Sequence, residues 1–130
     1  MATVNNTLTL SSTDLTSDSI SLSILNTMTS ATQGGISRVK LQTTAVAGAT
    51  ILAYAAKFTE GAKIWLYNPL ATRSDASKVY VSLDEATTSI ELNGGDWALI
   101  PWAGVTRSTA KNLEAWGHSA DAIIEFGIFQ

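Results

Sequence analysis

Cysteine is absent from the chain, so neither a disulfide framework nor a thiolate metal cage holds it together. There is one histidine, His118. A zinc site takes three or four ligands from His, Cys and carboxylates, and this inventory makes no familiar one. Basic residues are scarce as well. The chain carries 8 Lys and Arg against 11 Asp and Glu, a net charge of −3. None of the cations forms the concentrated basic surface that a nucleic-acid or anionic-membrane partner requires. No apolar run approaches the roughly 20 residues that span a bilayer. Met1–Leu10 reads MATVNNTLTL, without the basic start and unbroken apolar run of a signal peptide. The expectation is a chain made in the cytosol, where the Asn5-Asn6-Thr7 sequon has no meaning.

What remains is an apolar, weakly charged chain. Its 130 residues are 45% hydrophobic and 15% charged, outside the regime of low hydrophobicity and high charge that marks disorder. A chain of this mass withdraws on the order of 13,000 Å² from water on folding, enough for one domain and too little for two.

Composition shifts along the chain. There is no Lys or Arg before Arg38 and no aromatic residue before Tyr54, while Ser and Thr dominate the opening. Aromatic side chains bury the largest single areas, so the core is expected in the later part. Residues 1–33 read as Ser/Thr-rich strands and residues 34–130 as a β-sandwich body, one domain overall. The opening stretch supplies either outer strands of that domain or an arm ordered against a neighbouring subunit. It is expected to matter more for assembly than for the fold of one copy.

Alternation at period two dominates the sequence. Ser19–Ile24 puts Ile20, Leu22 and Ile24 on one face and three hydroxyls on the other, and Thr7–Ser11 repeats the pattern around Leu8 and Leu10. Val39 and Leu41 alternate with Arg38 and Lys40. KIWLYN (63–68) sets Ile64 and Leu66 against Trp65 and Tyr67, and KVYVSL (78–83) sets Val79, Val81 and Leu83 against Lys78, Tyr80 and Ser82. Asn93-Gly94-Gly95 predicts a tight hairpin between strands over 89–92 and 96–102. AIIEFGIF (122–129) is apolar on both faces apart from Glu125 and predicts a central strand. Within Ala45–Phe58 a helical stripe competes with a strand, and Thr50–Tyr54 is assigned as strand. Ala110–Trp116 is a short helix candidate. Strands at roughly ten-residue spacing with polar, Gly-rich turns predict an all-β fold, an antiparallel sandwich or jelly roll.

The catalytic inventory is thin. A triad can only use His118 with Ser119 and Asp121, but triad members normally arrive from separate parts of a fold, and a polar turn accounts for all three. Glu91 with Glu114 or Glu125 is compatible with a glycosidase pair and nothing more. No phosphate-binding glycine motif and no dense run of calcium-ligating oxygens occurs. The chain is expected to be no enzyme, with no catalytic residue, cofactor or metal.

The four tryptophans carry more information. Trp97 shares a face with Leu99 and is expected in the core. Trp65 and Tyr67 lie opposite Ile64 and Leu66 and cover a second surface. Trp102 at a strand end and Trp116 near a Gly-rich turn are the stronger candidates for an exposed contact. The interface candidates are therefore Trp102, Trp116, Trp65 and Tyr67, with Leu8 and Leu10 of the opening stretch.

The succession of KIWLYN with Pro69 after it, a polar loop, KVYVSLDE, ELNGGDWALIPW and a final apolar strand resembles small virion structural proteins of tailed bacteriophages, including head decoration (cement) proteins. The matching positions are Asn68, Val79–Leu83 and Gly95–Trp102, and the likeness covers about Ile36–Phe129. The Ser/Thr-rich opening lies outside it. The resemblance implies no catalysis, binding to the major capsid protein or other virion proteins, a capsid-surface location and a homo-oligomer, commonly a trimer. A tail, baseplate or fibre component would have the same composition. A carbohydrate-binding sandwich, with Trp102 and Trp116 as its stacking platform, is the rival of a different class.

Overall fold

The computed structural model describes residues 2–13, 19–31, 34–43, 49–58, 60–85, 87–106 and 109–130. Parts of two sequence assignments, residues 14–18 in the opening stretch and 44–48 in the Ala-rich segment, lie outside them. The chain divides into two compact units, Met1–Thr32 and Gln33–Gln130. Among the described residues the helical structure is confined to two 3-10 turns, Ala55–Lys57 and Asp75–Ser77.

The first unit is an antiparallel ribbon of β1 (Ala2–Ser12) and β2 (Ile20–Ala31). Its register sets Leu8 opposite Ile24 and Leu10 opposite Leu22, with Thr9 opposite Ser23 on the other side. The strict alternation of both segments forces this sorting, because facing residues share a side of the ladder.

The second unit is an antiparallel sandwich of two four-stranded sheets. The first has the order β3 (Gly34–Lys40), β12 (Ile123–Phe129), β5 (Ala62–Tyr67) and β8 (Trp97–Trp102). The second has the order β4 (Thr50–Ala53), β11 (Leu113–Gly117), β6 (Val79–Ser82) and β7 (Ile90–Leu92). A two-residue ladder joins β9 (Val105–Thr106) to β10 (Thr109–Ala110). Between the sheets Ile64, Leu66 and Ile124 meet Leu113, Ala115, Val79 and Val81, all fully buried. Each large aliphatic side chain in that layer contributes roughly 1.5–3 kcal/mol by leaving water.

Two local expectations are corrected. Ala110–Trp116 does not form a helix. Leu113 and Ala115 alternate into the core, and β11 pairs with β4 on one edge and β6 on the other, so its backbone bonds are made laterally. Nor is Asn93-Gly94-Gly95 a hairpin turn. β7 pairs with β6 in the second sheet while β8 pairs with β5 in the first, so the turn carries the chain from one sheet to the other. Only Gly95 of the two glycines has a positive φ, +83°, and Asp96 N–H closes the turn on the Asn93 carbonyl at 2.9 Å. A two-residue hairpin of the Asn-Gly type would need both central residues at positive φ.

Candidate interaction face

The outward side of the first sheet gathers the exposed aromatic residues. Facing partners share a side, so the β5–β8 register places Tyr67 with Trp97, Trp65 with Leu99 and Lys63 with Pro101 on one surface. The β12 ladders extend it, with Glu125 beside Tyr67 and Arg38, and Gly127 beside Trp65 and Ile36. The result is a surface roughly 20 Å by 20 Å from strand spacing and rise. Trp65 and Tyr67 stack with centroids 6.0 Å apart and planes at 22°. Trp97 is 55% exposed and Ile36 70%.

Gly127 keeps the middle of this face low. A Cβ there would lie 3.0 Å from the Phe129 ring and 3.4 Å from Ile36 Cγ1. The position is thus filled from above by its neighbours' side chains. The charges lie at the two ends of the face: Arg38 and Glu125 approach to 3.5 Å beside Tyr67, and Lys63 stands at the other end beside Pro101 and Phe129. An apolar patch of a few hundred Å² edged by charge is the size at which surfaces mark contact sites.

The turn that presents Trp97 is built stiffly. Asp96 accepts the Asn93 N–H at 3.0 Å, the Asn93 side-chain amide at 3.2 Å and Arg73 Nη2 at 2.8 Å. The Asn93 side-chain bond, then its backbone bond, holds the Asp96 carboxyl below the ordinary aspartate range, against a smaller opposing effect of burial. Beneath the turn, fully buried Asn68 donates through Nδ2 to the carbonyls of Ser77 at 2.7 Å and Leu92 at 3.0 Å, and its Oδ1 accepts Leu70 N–H. The strand-ending Asn of KIWLYN therefore fastens the end of one sheet to the end of the other.

The four tryptophans sort differently from expectation. Trp97, expected in the core, is the most exposed of them, whereas Trp102 and Trp116 are each only 7% exposed. Along β8 the inward residues are Ala98, Ile100 and Trp102; Trp102 packs on Phe58 with ring centroids 5.8 Å apart. Trp116 lies against Tyr80, 5.9 Å between centroids. Neither offers a free stacking surface, so the two are withdrawn as a glycan platform. Trp65 and Tyr67 remain on the contact face, and Leu8 and Leu10 are exposed on the first unit at 41% and 54%. The sequence reading missed Trp97, Leu99, Ile36 and Phe129. In WALIPW both faces are apolar, and only pairing with β5 fixes which one turns outward.

The residues offered for chemistry are occupied separately. Ser119 Oγ donates to the Ala76 carbonyl at 2.7 Å, Asp121 pairs with Lys40 at 3.3 Å, and His118 Nδ1 lies 3.3 Å from the Tyr80 hydroxyl. They do not converge as a triad. Glu91 pairs with Lys78 at 3.1 Å, Glu125 with Arg38 in the other sheet, and Glu114 is buried on β11. Burial, with the neighbouring charge of Glu85 adding to it, raises the Glu114 carboxyl above the ordinary glutamate range. Among the described residues no group of three or more His, Cys, Asp or Glu is placed to hold a metal ion, and no helix is long and apolar enough to cross a membrane. Comparison with protein-family models, with curated proteins and with solved structures finds no match to the chain.

Proposed function

We propose that the chain is a non-enzymatic structural subunit of a tailed-phage virion, a capsid decoration protein. In this reading it lays the outward face of its first sheet on the major capsid protein lattice and stabilises it. The observation that carries the proposal is the open band of Trp97, Tyr67, Trp65, Leu99 and Ile36 on a rigid sheet. Trp and Tyr dominate the energetics of protein contacts, and side chains already seated on strands lose little freedom on binding. Two of the motifs that carry the resemblance to head decoration proteins build this face. KIWLYN supplies Trp65 and Tyr67, and GDWALIPW supplies Trp97 and Leu99.

Sedimentation with heads that lack the protein tests the proposal. The wild-type chain is expected to travel with the heads, and Trp97→Asp to stay in the supernatant while keeping its fold. A wild-type chain that never co-sediments overturns the reading. Immunogold labelling of virions separates a head position from a tail, baseplate or fibre position. The carbohydrate-binding reading now rests on the Trp65–Tyr67 stack beside Trp97. Saccharide-dependent tryptophan emission, abolished in Trp97→Ala, would favour it.

A further inference from the structure

Leu113 and Ala115 of β11 face the core, so Glu114 between them lies on the outer side of the second sheet, opposite Ile51 of β4 and Ser82 of β6. It is nonetheless only 8% exposed. A carboxyl withdrawn from water is costly to ionise unless a cation or several N–H donors meet it. Neither flanking strand brings a cation, since β4 is Thr-Ile-Leu-Ala and β6 is Val-Tyr-Val-Ser. Lys57 of the 3-10 turn and Lys111 ahead of β11 form no ion pair with Glu114. The segment after β6 brings two acids instead. Asp84 accepts the Ser82 hydroxyl and the Thr87 N–H, each at 3.1 Å, and Glu85 follows it.

Glu85 is turned back toward β11 by an uncommon backbone. Its φ is +61°, the one positive value outside glycine among the described residues, and such a conformation persists only where the surroundings hold it. The holding contact is short. Glu85 Oε1 accepts the Asn112 N–H at 2.6 Å, a charge-assisted bond of the strong kind. Asn112 Oδ1 in turn accepts the Ala55 N–H at 2.9 Å. Asn112 therefore couples three segments: the acid-bearing connection after β6, the entry to β11 and the 3-10 turn Ala55–Lys57. It also precedes Glu114 by two residues, one strand repeat of about 7 Å. The bond thus seats the Glu85 carboxylate beside Glu114, where its charge adds to burial in raising the Glu114 carboxyl.

From this geometry we infer that the Glu85–Asn112 contact is a switch thrown by the protonation of Glu114. While Glu114 holds its proton, no second charge opposes Glu85 from β11, and the contact stays closed. Once Glu114 ionises, two carboxylates crowd one water-poor spot. Releasing Glu85 relieves both the repulsion and the left-handed backbone at that residue. Asn112 then loses its acceptor, and its own hold on Ala55 loosens. The direction in pH follows from the sign of the shift. The folded Glu114 carboxyl lies above its ordinary value of 4.5, so the contact is intact below that value and weakens as pH rises through the higher one. At a spacing of about 7 Å near a protein surface, repulsion of two unit charges moves such an equilibrium on the order of tenfold. The switch belongs to the second sheet and does not depend on the virion reading.

Amide NMR of the full chain between about pH 5 and about pH 8, across the range in which a raised carboxyl titrates, tests it. In the wild type the Asn112 amide proton is expected far downfield at the acid end, moving upfield as pH rises. Its protection from solvent exchange is expected to fall about tenfold relative to Glu114→Gln at the same pH. Glu114→Gln is expected to keep the downfield shift throughout, because position 114 no longer gains a charge. Glu85→Gln keeps an acceptor without the charge, so its Asn112 amide is expected to show no loss of protection with pH. The Ala55 amide is expected to follow Asn112 in the wild type alone. Unchanged amides at buried Leu66 and Ile124 separate a local release from global unfolding. A wild-type Asn112 amide that stays downfield and protected to the alkaline end, or one that loosens equally in Glu114→Gln, overturns the inference.

Discussion

The side-chain amide of Asn68 donates to the carbonyl of Leu92 at 3.0 Å, tying the end of β5 in one sheet to the end of β7 in the other. The same nitrogen bonds the Ser77 carbonyl, so one buried side chain secures three segments. Asn68→Ala removes these bonds and leaves two carbonyls unpaired in a dry site. Losing buried partners in this way costs about 1–3 kcal/mol per group, so a destabilisation of about 3 kcal/mol is expected. Denaturant unfolding followed by tryptophan emission measures it. A change below about 0.5 kcal/mol, the level of ordinary surface substitutions, would remove Asn68 from its clamping role.

Trp97 and Trp102 end the same strand and are predicted to behave oppositely. Trp97→Ala removes an exposed ring, and stability is expected to change by no more than about 0.5 kcal/mol. Trp102→Ala empties a core position against Phe58 and is expected to cost about 3–5 kcal/mol. On the decoration reading the first variant loses its partner and the second loses its fold. Thermal unfolding of both, beside the sedimentation assay, separates the two effects.

That contrast shows what is legible in the residues alone. Strands whose faces differ in polarity declare their orientation; Ile64 and Leu66 against Lys63, Trp65 and Tyr67 are sorted by period two. The two-sheet antiparallel architecture follows from the same alternation. β8 declares nothing, because Trp97, Leu99 and Pro101 are as apolar as Ala98, Ile100 and Trp102, and its phase comes from hydrogen bonding to β5. The turn at Asn93 misleads for a related reason. Its residues suit a tight bend, but which strands flank that bend is decided by the buried Asn68 bonds and the close approach at Gly94, both made across long stretches of chain. Ala110–Trp116 read as helical because lateral pairing on both edges of β11 cannot be seen locally.

Protonation is predicted to act on stability with opposite signs at two carboxyls. Glu114 is raised by burial and then by Glu85, so the folded state holds its proton more tightly than the unfolded chain. Its stabilising contribution is full below the ordinary glutamate value of 4.5 and declines as pH rises through the higher folded value. Asp96 is lowered by Asn93 and Arg73. Its contribution is present above the ordinary value of 3.8 and is lost as pH falls through the lower folded value. Glu114→Gln is expected to flatten the decline above pH 4.5 and to stabilise the chain at neutral pH. Asp96→Asn is expected to weaken the loss in acid. Unfolding midpoints across the pH range check both, and a Glu114→Gln curve parallel to the wild type would contradict the assignment.

Gly94 and Gly35 provide a paired test of the turn. A Cβ on Gly94 would meet the backbone carbonyls of Thr72 and Leu70, the latter at 2.6 Å, and backbone cannot swing aside as a flexible side chain does. Gly94→Ala is therefore expected to cost about 1–3 kcal/mol, the penalty of forcing volume into filled space. Gly35 on β3 has nothing within 4 Å of the same position and no positive φ. There the added methyl restricts the unfolded chain without a clash, and Gly35→Ala is expected to stabilise by about 0.4–1 kcal/mol. If the Gly94 cost comes from displacement of the turn, Trp97 moves with it, and Gly94→Ala should weaken binding at the outward face while Gly35→Ala leaves binding intact. Equal binding by the two variants would mean that Trp97 is held by the β5–β8 ladder alone and that the turn contributes only to stability.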